Sequence, residues 1–374
     1  MRYLDDFSAD VYVAPVGAGG RPGGPPVLVP NAGQSARLGV WTADGEHLLL
    51  GNGFPSSNGS VVRVRVGGSE PFQPIPGLER PSALAISRDG KRLAIARGNL
   101  DADVWRVDLG NPAASGPIVR STLHEEGADY SPDGKRIVFS SNRSGAREIW
   151  VADITGENAL TLTQFGGPVP GSARWSPDGR DVVFDARPAG NSEIFAVSAS
   201  GGAVRQLTKD PGEDARPMWS HDGRWIYFSS TRTGQNELWR MSPNGADPVQ
   251  ITKTGAVWST ASVDGQWLYY TEIGSPRVHR IRPNGTDPSV IVDDVTLAVR
   301  ATASGLWFFG QRKAGQRGPT LRMLRFADNT IRDVAELEFP PTVVGMSVSP
   351  DERSVLVTRP DTNGLDLLLV DDFR

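Results

Sequence analysis

At 374 residues the chain is too long for one ordinary compact core, so it must be either two domains or a repeat architecture that adds core with each unit. Its 43 Gly and 29 Pro beside 10 Trp and 13 Phe describe a turn-rich folded chain, not a disordered one. A formal charge of −4 and a pI near 5.7 leave nucleic-acid binding to a local patch, and the absence of Cys excludes disulfides, thiolate metal sites and a Cys nucleophile.

The N-terminus, MRYLDDFSADVYVAPV, places acids where a secretion signal needs a basic start and an apolar run. No stretch reaches the ~18 apolar residues of a spanning helix. The chain as written is therefore expected to be cytoplasmic and not inserted in a membrane, or periplasmic if it belongs to a longer anchored chain. Residues 10–16 and 27–29 resemble the third and fourth strands of the unit described next. Segment 1–36 is expected either to complete the last unit or to be the remnant of one upstream. The Gly-rich run 17–24 opens no helix, so it reads as linker and not as a phosphate cradle.

Residues 37–374 repeat. In chain order the copies are TADGEHLLL from Thr42, SRDGKRLAIAR from Ser87, SPDGKRIVFSSNRSGAREIWVADITG from Ser131 and SPDGRDVVFDARPAGNSEIFAVSASG from Ser176. SHDGRWIYFSSTRTGQNELWRMSPNG from Ser220, SVDGQWLYYTE from Ser262, a degenerate ASGLWFF from Ala303 and SPDERSVLVTR from Ser349 follow. The steps of 40 to 47 residues suit one four-stranded propeller blade each.

Within a unit, strand A ends in an aromatic (Trp41, Tyr130, Trp175, Trp219), and Asp-Gly makes a tight turn into an alternating strand B. Strand C reads Asp103-Val-Trp-Arg, Glu148-Ile-Trp-Val, Glu193-Ile-Phe-Ala or Glu237-Leu-Trp-Arg, and a short strand D ends at Thr163, Thr208 or Thr252. One such sheet cannot bury both faces, so neighbours must pack face to face and close on themselves. The expected fold is all-β: a single, monomeric, closed propeller of eight four-stranded antiparallel blades, or seven if the unit near Ala303 is irregular.

The segments FGGPVPGSARWSPDGRDVVFDARPAGNSEI, PMWSHDGRWIYFSSTRTGQNELWRM and LDLLLVDDFR resemble the TolB-like, WD-repeat-like (PD-type) propellers. They are most similar to the sensor propellers attached to bacterial winged-helix transcriptional regulators and protein kinases. The resemblance runs from about Pro81 to Arg374 and implies a signalling or regulatory binding role. The winged helix, kinase domain and membrane span of those proteins are not in this sequence, so DNA binding or kinase activity is not carried over.

The residues point to no catalytic set, metal or cofactor. By repeat position His47, His124, His221 and His279 do not converge, and no nucleophile elbow, zincin motif, Walker loop or dinucleotide fingerprint occurs. The recurring turn Asp is explained by turn geometry. Arg143, Arg187 and Arg232 share one repeat column between strands B and C, which reads as architecture.

Residues that break the repeat near strand A are expected at the mouth of the central channel, where small ligands or peptides bind propellers. They are Arg37, Arg80, Glu125, Glu126, Asp129, Arg174, Asp214, Arg216 and Arg300. Mutual ion pairing that closes the channel is the alternative reading. A second candidate, for an anionic partner, is Arg277, Arg280, Arg282, Arg312, Lys313, Arg317, Arg322 and Arg325, although few aromatics interleave with it and nucleic acid is not the expected partner.

The expected function is non-catalytic recognition of a protein, peptide or small ligand. The alternatives are a TolB-like periplasmic docking protein and a propeller lyase or hydrolase.

Overall fold

A Ser-x-Asp-Gly turn closes on itself, and this recurring local device organises the chain. In the computed structural model, Ser131, Ser176, Ser220 and Ser262 each donate from Oγ to the turn Asp Oδ1 at 2.6 Å. The same carboxylate accepts the backbone N–H two residues on, and the serine oxygen accepts the one five residues on, as at Lys135 and Arg136. The glycine takes the left-handed conformation (Gly134 φ 69°, Gly179 φ 70°), which a side chain would strain. In SPDERS the position is filled by Glu352 at φ 56°.

The structure describes residues 2–373 apart from 4–8, 18, 20, 22, 30–35, 53–59, 69–72, 80, 122, 167–169, 189 and 343–344. The chain divides into two compact units, residues 101–361 and residues 1–100 with 362–374. Among the described residues no helix is long and apolar enough to cross a membrane.

The 101–361 unit holds five four-stranded antiparallel sheets and four strands of a sixth sheet that also includes Pro81–Ile86. Sheet 1 contains Glu125–Tyr130, Arg136–Ser141, Glu148–Asp153 and Leu160–Thr161; sheet 2 contains Gly171–Trp175, Asp181–Ala186, Glu193–Ser198 and Arg205–Gln206. Sheets 3, 4 and 5 repeat the pattern from Asp214–Trp219, Trp258–Ala261 and Val295–Ala301. The repeat is visible in the register, where strands B and C set Phe139 opposite Trp150, Phe184 opposite Phe195 and Phe228 opposite Trp239.

Sheet 6 is assembled from both ends of the unit. Ser347–Val348 and the first part of Ser354–Val370 supply strands A and B, and the last part of Leu93–Asp108 with Gly116–Val119 supplies C and D. Asp103-Val-Trp-Arg fills strand C of that sheet.

Apolar faces join the sheets in sequence. Val138, Ile149 and Val151 meet Trp175 and Phe184; Val183 and Ile194 meet Phe228 and Met241; Tyr227 and Leu238 meet Leu268 and Tyr270. Tyr269 and Val278 then meet Leu306 and Phe308, and Trp307 and Phe309 meet Val355 and Val357. Finally Val104 and Leu356 of sheet 6 pack with Tyr130 and Phe139 of sheet 1. Sheet 6 thus touches both its predecessor and the first sheet. Of the eight sequence repeats expected in one ring, six lie in this unit, and those turning at Asp44 and Asp89 lie in the other.

In that other unit, Ala36–Trp41, His47–Asn52, Ser60–Arg65 and Gln73–Glu79 form a four-stranded sheet. Tyr12–Val13 pairs with Val27–Leu28, and neighbouring Val11 and Val29 pack on Leu48, Leu50, Val62 and Val64. That is how the third and fourth strands of a preceding repeat would pack. Pro81–Ile86 pairs with the start of Leu93–Asp108, and Leu368 and Val370 pack on the cluster of Leu49, Leu93 and Ile95.

Candidate functional site

Strand A forms one edge of each four-stranded sheet, and in the 101–361 unit two side-chain latches join this edge to the neighbouring sheet. The first uses the residue before the last of strand A. Ser347 Oγ accepts the Tyr130 N–H at 3.1 Å, Asp129 Oδ2 accepts that of Trp175 at 3.2 Å, and Thr260 Oγ1 accepts that of Ala301 at 3.1 Å. The second runs from strand B to a bulge in the next strand A. Thr358 Oγ1 accepts the Gly127 N–H at 3.2 Å and Asp185 Oδ2 that of Arg216 at 2.8 Å. The bulged residues Gly127, Ser172 and Arg216, and Gly345 ahead of strand A in sheet 6, all have φ between 51° and 87°. For Ser172 and Arg216 this is a strained conformation, of the kind that clusters at functional sites.

Most latches are made by hydroxyls. Where sheets 1 and 2 use Asp129 and Asp185 instead, arginines gather. Arg300 Nη2 donates to Asp129 Oδ1 at 2.8 Å, and Ser347 Oγ donates to the same oxygen at 2.8 Å. Asp129 belongs to sheet 1 and Arg300 to sheet 5, so this pair reaches past sheet 6. Arg216 lays its guanidinium over the Trp258 ring, 5.0 Å from the centroid. Arg174 is buried and donates from Nη1 to the carbonyls of Ala173 at 2.7 Å and Gly127 at 3.5 Å. Burial lowers the pKa of Arg174 and nearby Arg300 adds to this, against the attraction of Asp129 and Asp185. It remains a cation, because no guanidinium deprotonates in this range.

The predicted mouth residues therefore separate into two groups. Asp129, Arg174 and Arg300 gather at one end of strand A with Asp185 and Ser347, and Arg216 joins them through its backbone N–H to Asp185. Glu125, Glu126 and Asp214 lie at the other end of strand A, where each is engaged locally. Glu125 accepts from Ser121 and Ser141 at 2.8 and 2.9 Å and faces Arg143 at 3.4 Å; Asp214 pairs with Arg232 at 2.7 Å. Neighbouring Glu213 pairs with Arg187 at 3.4 Å. Glu126 is clamped between His124, at 2.8 Å, and Arg147. Burial opposes its ionisation, but the Arg147 charge and then His124 outweigh this and hold Glu126 down at about 2. Arg80 and the side chain of Arg37 lie outside the described residues.

In the column Arg143, Arg187, Arg232, the first and last thus pair with the start of strand A in their own sheets, and Arg187 pairs with the residue ahead of strand A in the next sheet. Glu148, Glu193 and Glu237 form another column: each accepts from the hydroxyl of Thr163, Thr208 or Thr252 at 2.5 to 2.6 Å, which ties strand C to strand D.

The second predicted surface is largely self-neutralised. Arg277 meets Asp293 at 3.0 Å, Arg322 meets Asp294 and Asp333 at 2.9 and 2.8 Å, and Arg325 meets Asp328 at 2.9 Å. Arg280 and Arg282 lie over Trp267, 4.3 and 3.9 Å from the ring centroid. Arg312, Lys313 and Arg317 occupy an exposed loop.

The histidines sit in separate settings. His47 bonds Asp44 at 3.0 Å, His279 stacks on Tyr270 with centroids 5.1 Å apart, and His124 is held by Glu126. For His221, burial and then the Arg300 charge lower the pKa. Among the described residues no group of three His, Asp or Glu is arranged to hold a metal ion.

Residues 149–293, from strand C of sheet 1 to strand D of sheet 4, match the family model described as PD40, TolB beta propeller domain. Among solved structures, TolB from Acinetobacter baumannii is 17% identical, covers 73% of this chain and 68% of its own, and superposes with a TM-score of 0.50. The fold is that of a TolB-like β-propeller. TolB from Agrobacterium tumefaciens is 22% identical over 74% of this chain and 88% of its own, with a TM-score of 0.48. A puromycin-hydrolyzing peptidase of Mycobacterium tuberculosis is 16% identical over 84% of this chain and 55% of its own, with a TM-score of 0.49. These likenesses concern the propeller fold and not the chemistry performed on it.

Sequence reasoning missed Asp185, Ser347 and Gly345. Asp185 had a visible signal, since it replaces the serine of Ser140 and Ser229 in the strand B column. Gly345 and Ser347 are legible only once strand A of the last repeat is aligned with the others.

Proposed function

We propose that this propeller is a non-catalytic binding protein, recognising a peptide or small solute at the inner strands of the 101–361 unit. The six sheets are taken to close there as a six-bladed ring. One observation carries the reading. The carboxylates near strand A are already engaged as latches or ion pairs, whereas Arg174 is a buried cation whose hydrogen bonds among the described residues go to backbone carbonyls. A spare donor set at the centre of a closed scaffold is suited to holding a ligand. A hydrolase would instead need a nucleophile and a base within hydrogen-bond reach of each other.

Hydrogen exchange of the whole chain with and without a pool of mixed-sequence tetrapeptides tests this. The expected protection falls on Glu125–Tyr130, Gly171–Trp175 and Val295–Ala301. Protection confined to the outer strands, or turnover of p-nitrophenyl esters or peptide p-nitroanilides in proportion to protein, would overturn the reading.

A further inference from the structure

We propose that Arg174 and Arg300 together hold the carboxylate group of a ligand. This rests on the binding reading above and names the chemistry of its ligand. Four observations lead there.

Arg174 is 9% exposed, and among the described residues no carboxylate lies within ion-pair distance of it. A guanidinium offers five N–H donors, and the two carbonyls engage only one of its nitrogens. Burying a cation this way is costly unless an anion completes the set.

The fold also makes room for this group. A Cβ on Gly345 would stand 2.9 Å from Arg174 Nη2, so any larger residue there would press on the guanidinium. Gly345 has φ 87°, which a side chain would strain independently.

The nearby carboxylates are committed elsewhere. Asp129 accepts from Arg300, Ser347 and Trp175, and Asp185 accepts from the Arg216 N–H. Neither can turn to Arg174 without releasing a latch.

Arg300 supplies the second fork. It uses one nitrogen on Asp129 and its side chain is 24% exposed, which leaves other donors reachable. Two planar forks match a planar carboxylate. The carboxylate could belong to a free small acid or to the C-terminal end of a peptide.

Calorimetric titration of the whole chain at constant ionic strength decides this, using acetate, triglycine, triglycine C-terminal amide and inorganic phosphate as probes. Saturable binding of acetate and triglycine is expected, with the amide at least tenfold weaker than triglycine. Triglycine binding well above acetate identifies a peptide end, and equal binding identifies a free acid. Arg300→Gln should weaken both at least tenfold. Arg300→Lys, which keeps the charge for Asp129 but lacks the fork, should do the same while remaining folded by circular dichroism. Arg174→Gln should abolish binding, and if it does not fold, the Arg300 pair of variants decides. No saturable carboxylate binding, phosphate binding tighter than acetate, or unchanged affinity in both Arg300 variants would overturn the proposal. Tetrapeptide protection of the inner strands combined with equal binding of triglycine and its amide would overturn this inference while sparing the binding reading.

Discussion

The two ends of strand A in the 101–361 unit use the same residue types to opposite effect. At its start, Glu125 and Asp214 face arginines from the B–C loop of their own sheets, and Arg187 of sheet 2 reaches Glu213 just ahead of strand A of sheet 3. At its far end the latch position varies as Asp129, Arg174, Met218, Thr260, Arg300 and Ser347, and one of its arginines has no carboxylate partner among the described residues. In a repeat protein, recurrence marks what every interface needs. Departure from recurrence marks what only the whole assembly can use.

The largest expected effect tests the shared frame on which both ends depend. Trp175 is buried between sheets 1 and 2, and its indole N–H donates to the Asp129 carbonyl at 3.1 Å. Trp175→Ala should cost ~3–5 kcal/mol in urea denaturation. A change below about 1 kcal/mol would mean that this interface does not hold the sheets together.

A matched pair of substitutions then separates the two ends. Arg147→Met removes the partner of buried Glu126 and should cost ~3–5 kcal/mol, because it strands a carboxylate. Arg174→Met removes a buried cation that has no carboxylate partner among the described residues and should be neutral, or stabilising by ~1 kcal/mol. Equal losses in the two variants would erase the distinction.

The pH dependence sharpens the same contrast. Glu126 is held at about 2 in the folded chain, below its ordinary value of 4.5, so its contribution is complete above that ordinary value and is lost as pH falls towards 2. Glu126→Gln should therefore flatten the fall in stability across that acid window, as followed by thermal melts. A slope identical to wild type would assign acid sensitivity elsewhere.

The smallest effect concerns the charged outer surface. Arg277→Gln breaks an exposed pair with Asp293 and should change stability by less than ~0.5 kcal/mol.

Much of this was legible in the sequence because turns are local. Ser-x-Asp-Gly specifies its own hydrogen bonds within six residues, so each copy announced a strand pair before any packing was known. The identity of the sheets was less legible. The halves of Leu93–Asp108 and of Ser354–Val370 lie in different units, and no local pattern distinguishes a strand B that leads into its own strand C from one that does not. The candidate site was half legible: Arg174, Arg216, Asp129 and Arg300 stood out as breaks in the repeat. Glu125 and Asp214 stood out for the same reason yet joined a recurring ion-pair scheme, because their partners lie in the B–C loop and not in the column being compared.

Sheet 6 has a consequence for how the unit comes to exist. Strands near residue 104 must wait for partners near residue 356 before their edges are covered, so the nascent chain carries an unsatisfied edge through most of its synthesis. Once the last strands arrive, neither end of the unit is a loose terminus that can peel away by itself. Loss of order should then begin at an interface between sheets and spread in both directions, giving one cooperative transition and slow folding governed by long-range contacts.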